Sequence, residues 1–413
     1  MPESSMSMSS FFKNRFVQVI IASSIFLQIG IWVRNFAILL FVMDKTNNNP
    51  MAVSLISVAE FAPIFIFSFI GGTFADRWRP KRTMVWCDLL SAISVFAVLL
   101  TIVLGSWQGV FFVTFISSIL SQFSQPSAMK LFKINVPEEY MQTGMAIFQT
   151  LMSIFMIIGP MLGTIVFQKY GIDVAIAIMG IAFFLSASVL TLLPADQIIK
   201  KEKLTTHFLE ELKEGFMYVW NERALTILGS VFAASGLAVG IIQPLGIFII
   251  VERLGLPKEN LQILFMVNGA AMFIGGGLIM TVSKKIMPQK LLAIGLVVNA
   301  ISMTGLGLSS SWVMILFFQF LNGFFMPCIQ IGINTLILQL TKSEFVGRVN
   351  GVLNPMFMGF MVITMSLTGW LKSQFSLTVL YIAAGLLFLI GALLTSLLFK
   401  HNQKVNNEVD SVQ

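Results

Sequence analysis

Apolar runs of about 20 residues or more, long enough as helices to cross ~30 Å of hydrocarbon, recur along the chain with short polar breaks between them. Twelve can be marked, over 16–43, 51–75, 83–104, 110–131, 143–167, 173–193, 224–251, 261–282, 290–308, 312–340, 350–370 and 376–399. The pattern predicts an all-α integral membrane protein with twelve transmembrane helices. A longer polar segment, 194–223, divides the runs six and six. Within it Phe208, Leu212, Phe216 and Val219 recur at helical spacing among charged residues, which predicts an amphipathic helix on the membrane surface. The expected organisation is an N-terminal six-helix half over 1–193, a linker over 194–223, a C-terminal six-helix half over 224–399 and a tail over 400–413.

The halves echo each other. Gly71-Gly72 before a basic loop recurs as Gly276-Gly277 before Lys284-Lys285, Pro126 recurs as Pro327, and Gly144 recurs as Gly351. These similar offsets suggest a duplicated six-span unit with pseudo-symmetric halves, an arrangement found in transporters that rock about a site near the bilayer midplane.

Charge then sets the orientation. Of the 26 Lys and Arg residues, 20 fall in the N-terminal segment, in the loops from even to odd runs, or in the C-terminal segment. The opposite loops hold five, Lys45, Lys169, Arg253, Lys258 and Lys372, and Arg34 stands inside a run. The excess predicts a multi-pass protein of the cell membrane with both termini cytoplasmic. Trp107, Trp312 and Trp370 at outer edges and Trp78 and Trp86 at an inner one fit interfacial indoles. The first run is too long for the apolar core of a cleavable signal peptide and reads as a span.

Composition narrows the function classes. With 56% hydrophobic and 11% charged residues, the chain departs from the soluble norm of about 25% charged and needs lipid around it. Its net charge of +7 is spread over loops rather than along one aromatic-lined face, which argues against nucleic acid as a partner. Two Cys, two His and the lack of a phosphate-binding G-x-x-x-x-G-K-[ST] leave little from which to build a metal centre, a catalytic triad or an ATP site. No cofactor and no enzymatic activity are expected.

Two charges stand out inside apolar runs. Arg34 and Glu60 lie at similar distances from the polar link 44–50 between the first two runs, and so at nearly equal depth. Charges buried in a bilayer cost several kcal/mol, usually face the protein interior with a partner, and mark a pathway for ions or substrate. Glu60 heads Glu60-Phe-Ala-Pro63, where the proline loosens the helix. Protonation of Glu60 in competition with its pairing to Arg34 is one way to couple proton entry to export, and a static pair fixing two spans is the other reading. Asp88, early in the third run, is expected to meet Arg77 or Arg82 of the adjacent basic loop. Gln28, Asn35, Gln149, Gln243, Asn268, Asn322, Gln330 and Asn354 are neutral polar groups within runs, available to line a cavity or to bond between helices.

The loop after the second run reads Gly72-Thr-Phe-Ala-Asp76-Arg77-Trp78-Arg79-Pro80-Lys81-Arg82, and the fifth run contains Gly159-Pro160-Met-Leu-Gly163. The first resembles the signature loop of the major facilitator superfamily, and the second resembles the G-P-x-x-G core of its drug-antiporter motif. Arg79 and Pro80 replace the usual Gly and Arg of the loop. Ser121-Gln-Phe-Ser-Gln-Pro-Ser, Val136-Pro-Glu-Glu and Glu211-Leu-Lys-Glu-Gly-Phe-Met-Tyr-Val-Trp are similar to the macrolide-efflux-like branch of drug:proton antiporters. That resemblance implies a conformational switch at Gly72, Asp76, Arg77, Lys81, Arg82 and Asp88, and a kinked, leak-preventing packing at Gly159, Pro160 and Gly163. It also implies a monomer that exchanges protons for an amphipathic small molecule such as a macrolide. Where the branch often carries an Arg in its fourth span, this chain has Ser117 and Ser118. Two other readings stand beside this one: an exporter or flippase of an anionic metabolite, siderophore or lysophospholipid whose acid meets Arg34, and a non-transporting membrane sensor.

Overall fold

The computed structural model describes residues 14–104, 107–136, 138–194, 208–283 and 285–410. Among these every regular element is helical. The long helices are α1 (Arg15–Lys45), α2 (Pro50–Arg77), α3 (Pro80–Val103), α4 (Gly109–Asn135), α5 (Glu138–Thr191), α6 (Phe208–Asn221), α7 (Arg223–Ile242), α8 (Leu261–Ser283), α9 (Pro288–Leu308), α10 (Trp312–Leu340), α11 (Val346–Gln374) and α12 (Leu377–Asp410).

Local chemistry sets several ends. The Asn14 side chain accepts a hydrogen bond from the Phe16 amide at 2.9 Å and caps α1. Pro50, Pro80 and Pro288 open α2, α3 and α9, where the missing N–H costs nothing. Between α1 and α2, Asn47 and Asn48 take positive φ, a region asparagine tolerates better than most residues.

Ten described helices are long and apolar enough to cross a membrane, against the twelve expected. The difference has two sources. The segment 143–191 counts once, although the chain reverses in it at Gly171, whose φ of 77° and ψ of −176° fall in a region open essentially to glycine alone. On one side of the bend Gly163 packs on Phe36, and on the other Ala175 packs on Val33 and Ala37, so both arms run along α1. The second source is α4, whose run of Ser and Gln from Ser117 to Ser127 leaves it less apolar than its neighbours. The seventh expected span, 224–251, is broken: α7 stops at Ile242, Pro244 follows, and the chain resumes as the short helix Gly246–Phe248 and a π-helical turn, Ile249–Arg253. At the other end, α12 runs on to Asp410, past the expected boundary at 399, through a stretch with no Gly or Pro to stop it.

The chain forms two compact units, one of residues 1–47 and 59–203, the other of residues 48–58 and 204–413. In the first, Phe16, Val17 and Ile20 of α1 pack with Met84 of α3, Leu131 and Phe132 of α4, and Leu190 of α5. In the second, the amphipathic α6 is present and lies against the start of α11. Tyr218 stacks on Phe345 at 4.5 Å, and Glu214 pairs with Arg348 at 3.2 Å. Its Phe216, Met217 and Trp220 remain exposed. The second unit also carries an interhelical amide chain: Asn268 of α8 donates to Asn322 of α10 at 2.8 Å, and Asn322 donates to the buried Asn299 of α9 at 2.5 Å.

Candidate functional site

Neighbouring residues on a helix point about 100° apart, so Arg34 and Asn35 of α1 address different partners. The Arg34 guanidinium, 5% exposed, donates through Nη1 to Ser117 Oγ of α4 at 2.8 Å and through Nε to Asn35 Oδ1 at 3.0 Å. Asn35 Nδ2 in turn donates to Glu60 Oε1 of α2 at 2.7 Å. The expected pair is therefore indirect, with an amide standing between the two charges. Glu60 is half-buried, and Pro63 lies three residues further along α2. Ser117, where the resemblance leads one to look for a cation, receives one after all, delivered from α1.

Arg34 lines a cavity of about 470 Å³ within the first unit. One part of its wall is polar, with Ser121, Gln122 and Gln125 of α4 and Gln149 of α5, and another is apolar, with Met84, Met129, Met145, Phe148 and Phe183. Gln28 is buried on this wall, its amide against Met152 Sδ at 2.7 Å.

Asp88 opens onto the same cavity. It does not meet Arg82, which is exposed, and the side chain of Arg77, the other expected partner, lies outside the described residues. Instead Oδ2 accepts from Ser186 Oγ of α5 at 2.6 Å, and Oδ1 lies 3.5 Å from Ser124 Oγ of α4. Ser186 Oγ is also 2.9 Å from Ser23 Oγ of α1. The placement follows from helix rotation: Asp88 shares the inward face of α3 with Met84 and Ser91, while Trp86 points outward, 58% exposed.

In the basic loop, Lys81 Nζ donates to the carbonyls of Thr191, at 2.8 Å, and of Leu193, a cation placed on the carbonyl end of α5. The backbone of Gly72, Asp76 and Arg77 belongs to α2, and the side chains of Asp76 and Arg77 lie outside the described residues. In α5, Gly159 packs on the Trp32 ring. A side chain added at Gly163 would meet Phe36 Cβ at 2.7 Å and the Trp32 carbonyl at 2.8 Å, so the two glycines seat α5 directly on α1. Pro160 is buried between them.

The remaining polar positions divide. Asn268 and Asn322 are spent on each other and on Asn299, while Gln243, Gln330 and Asn354 are exposed. Asn299 and Ser186 escaped the sequence reading, and Ser117 and Ser124 entered it without their partners. Serine in an apolar helix ordinarily bonds its own preceding turn, as Ser127 does to Phe123, so nothing in its type announces a partner on another helix.

An all-helical chain of membrane-length spans around an amphipathic cavity with buried charges is the architecture of a small-molecule transporter. The model of the Major Facilitator Superfamily matches residues 20–288 and 228–412, and the chain belongs to that superfamily. It is a multi-pass membrane transporter, not an enzyme. Among curated proteins it is 24% identical over 394 residues to the uncharacterized MFS-type transporter YkuC of Bacillus subtilis (strain 168), covering 92% of this chain and 91% of that one. It is 25% identical over 328 residues to macrolide efflux protein A of Streptococcus pyogenes, covering 76% and 78%. A Na(+), Li(+), K(+)/H(+) antiporter of Planococcus maritimus is 24% identical over 215 residues, 52% of this chain and 49% of the relative. Among solved structures, the nucleoside transporter NupG superposes with a TM-score of 0.74 at 14% identity, covering 94% of this chain and 99% of the other. A POT family transporter in complex with a thioalcohol-conjugated peptide gives 0.72 at 16% identity, covering 94% and 96%. These structures share the fold.

Proposed function

We propose that the chain is a proton-coupled exporter of amphipathic small molecules of the macrolide type, working by alternating access in the cell membrane with both termini cytoplasmic. The observation that carries this reading is the relay that runs from Arg34, on the wall of a cavity with polar and apolar linings, through Asn35 to Glu60. The similarity to macrolide efflux protein A and to a cation/proton antiporter supports the direction and the coupling.

In this mechanism Glu60, when ionised, holds the Asn35 amide N–H, and the Asn35 carbonyl oxygen holds Arg34. A proton arriving at Glu60 removes the charged acceptor and loosens the amide, which frees Arg34 donors for an oxygen of the cargo or for a changed packing of α1 against α2. Release of the proton restores the relay. Lys81 on the end of α5 and the glycine contacts of α5 with α1 keep the moving helices in register without touching cargo.

The test uses purified protein in liposomes with an imposed pH gradient, following both cargo and proton movement. A macrolide or a comparable lipophilic compound should move against its gradient with protons flowing the opposite way. Cargo movement without any proton flux would overturn the coupling, and movement of no cargo under any gradient would overturn the exporter.

A further inference from the structure

The proposed coupling uses Arg34, Asn35 and Glu60 and leaves Asp88 unemployed. Asp88 is 3% exposed, on a helix long and apolar enough to cross a membrane, and it opens onto the cavity. The described groups that reach it from neighbouring helices are the hydroxyls of Ser124 and Ser186, with Ser23 behind Ser186, and Cys87 and Ser91 flank it on α3. Hydroxyls solvate a carboxylate but do not neutralise it, and an uncompensated charge in such a place costs several kcal/mol. Among the described residues that line the cavity, the one cation is Arg34. It sits eleven residues beyond Ser23 on α1, roughly 16 Å away at ~1.5 Å per residue, and it is already engaged with Ser117 and Asn35. The cavity thus has a basic end and a separate acidic end.

The wall beside the acidic end selects the ligand. Met84 lies one turn before Asp88 on the same face, and Met129, Met145, Phe148 and Phe183 also line the space. Thioethers and aromatic faces suit the body of an organic cation, through dispersion and cation–π attraction. A single carboxylate with hydroxyls is a poor set for a divalent metal, which takes six or more oxygens and usually several carboxylates.

We infer that Asp88, with Ser124 and Ser186, is a recognition site for the positively charged group of a monovalent organic cation whose apolar body lies on the methionine and phenylalanine wall. The inference rests on reading the cavity as the cargo site and is independent of the coupling assigned to Glu60.

Binding of tetraphenylphosphonium to the full chain in lipid nanodiscs, with no gradient, tests it. Asp88→Asn, close to isosteric, should weaken binding at least tenfold and Ser124→Ala a few-fold, while Asn354→Ala, at an exposed position outside the cavity lining, should stay within twofold of the unaltered chain. A second readout needs no variant: in the unaltered chain, a hydrophobic carbodiimide should modify Asp88, as read by mass spectrometry, and saturating tetraphenylphosphonium should suppress that modification. Equal binding by Asp88→Asn, no binding by the unaltered chain, or protection of Asp88 by sodium but not by the organic cation would overturn the inference. Because no gradient is applied, its failure would leave proton-driven export intact, and loss of coupling in liposomes would leave this binding unchanged.

Discussion

Asn35 is the residue on which the relay turns. It both accepts from Arg34 and donates to Glu60, so one neutral amide transmits between two charges that do not touch. Asn35→Ala removes two hydrogen bonds to charged groups, each worth roughly 1.5–3 kcal/mol. Gradient-driven export by that variant should fall at least tenfold in a liposome assay, whereas Asn354→Ala, at an exposed position, should leave it unchanged. The endpoints of this relay were readable from the chain, because a charge within an apolar run stands out against its cost. The intermediary was not. Asn35 is one of many amides within the spans, and the rotation of α1 that turns it toward α2 comes from tertiary packing. The same holds for Asp88, which stands beside a basic loop in the sequence and which the rotation of α3 turns toward the hydroxyls of Ser124 and Ser186.

At the scale of helices, close glycine contacts seat helices on one another in both units, and the second adds a chain of amides. Gly163→Val places methyl groups where Phe36 and the Trp32 backbone already sit. Overpacking of this kind costs about 1–3 kcal/mol, and a lowered melting temperature in detergent would report it. Asn322→Ala breaks the chain from Asn268 to Asn299 at its middle, and such membrane hydrogen bonds are worth about 0.6–2 kcal/mol each. Its melting temperature should fall while cargo binding in the first-unit cavity stays as before. Most helices were legible as apolar runs because lipid demands length and apolarity together. The reversal at Gly171 was legible too, since the expected runs 143–167 and 173–193 part there, whereas the break after Ile242, which rests on Pro244 and on the π-helical turn that follows, was not.

For the whole molecule, the proposed orientation follows from the distribution of Lys and Arg, with 20 of 26 assigned to one side. The chain offers a clean test, because both native cysteines are buried and should stay silent toward impermeant reagents. A cysteine introduced at Asn48, in the turn between α1 and α2, should react with an impermeant maleimide in intact cells. One introduced at Lys404 should react only after permeabilisation. The reverse pattern would invert the topology. The measurement that reaches the centre of the account is gradient-driven export by Glu60→Gln in proteoliposomes, set beside its exchange of labelled for unlabelled cargo with no gradient. Loss of the driven transport with exchange retained is the predicted result; full proton-driven export by Glu60→Gln would contradict it.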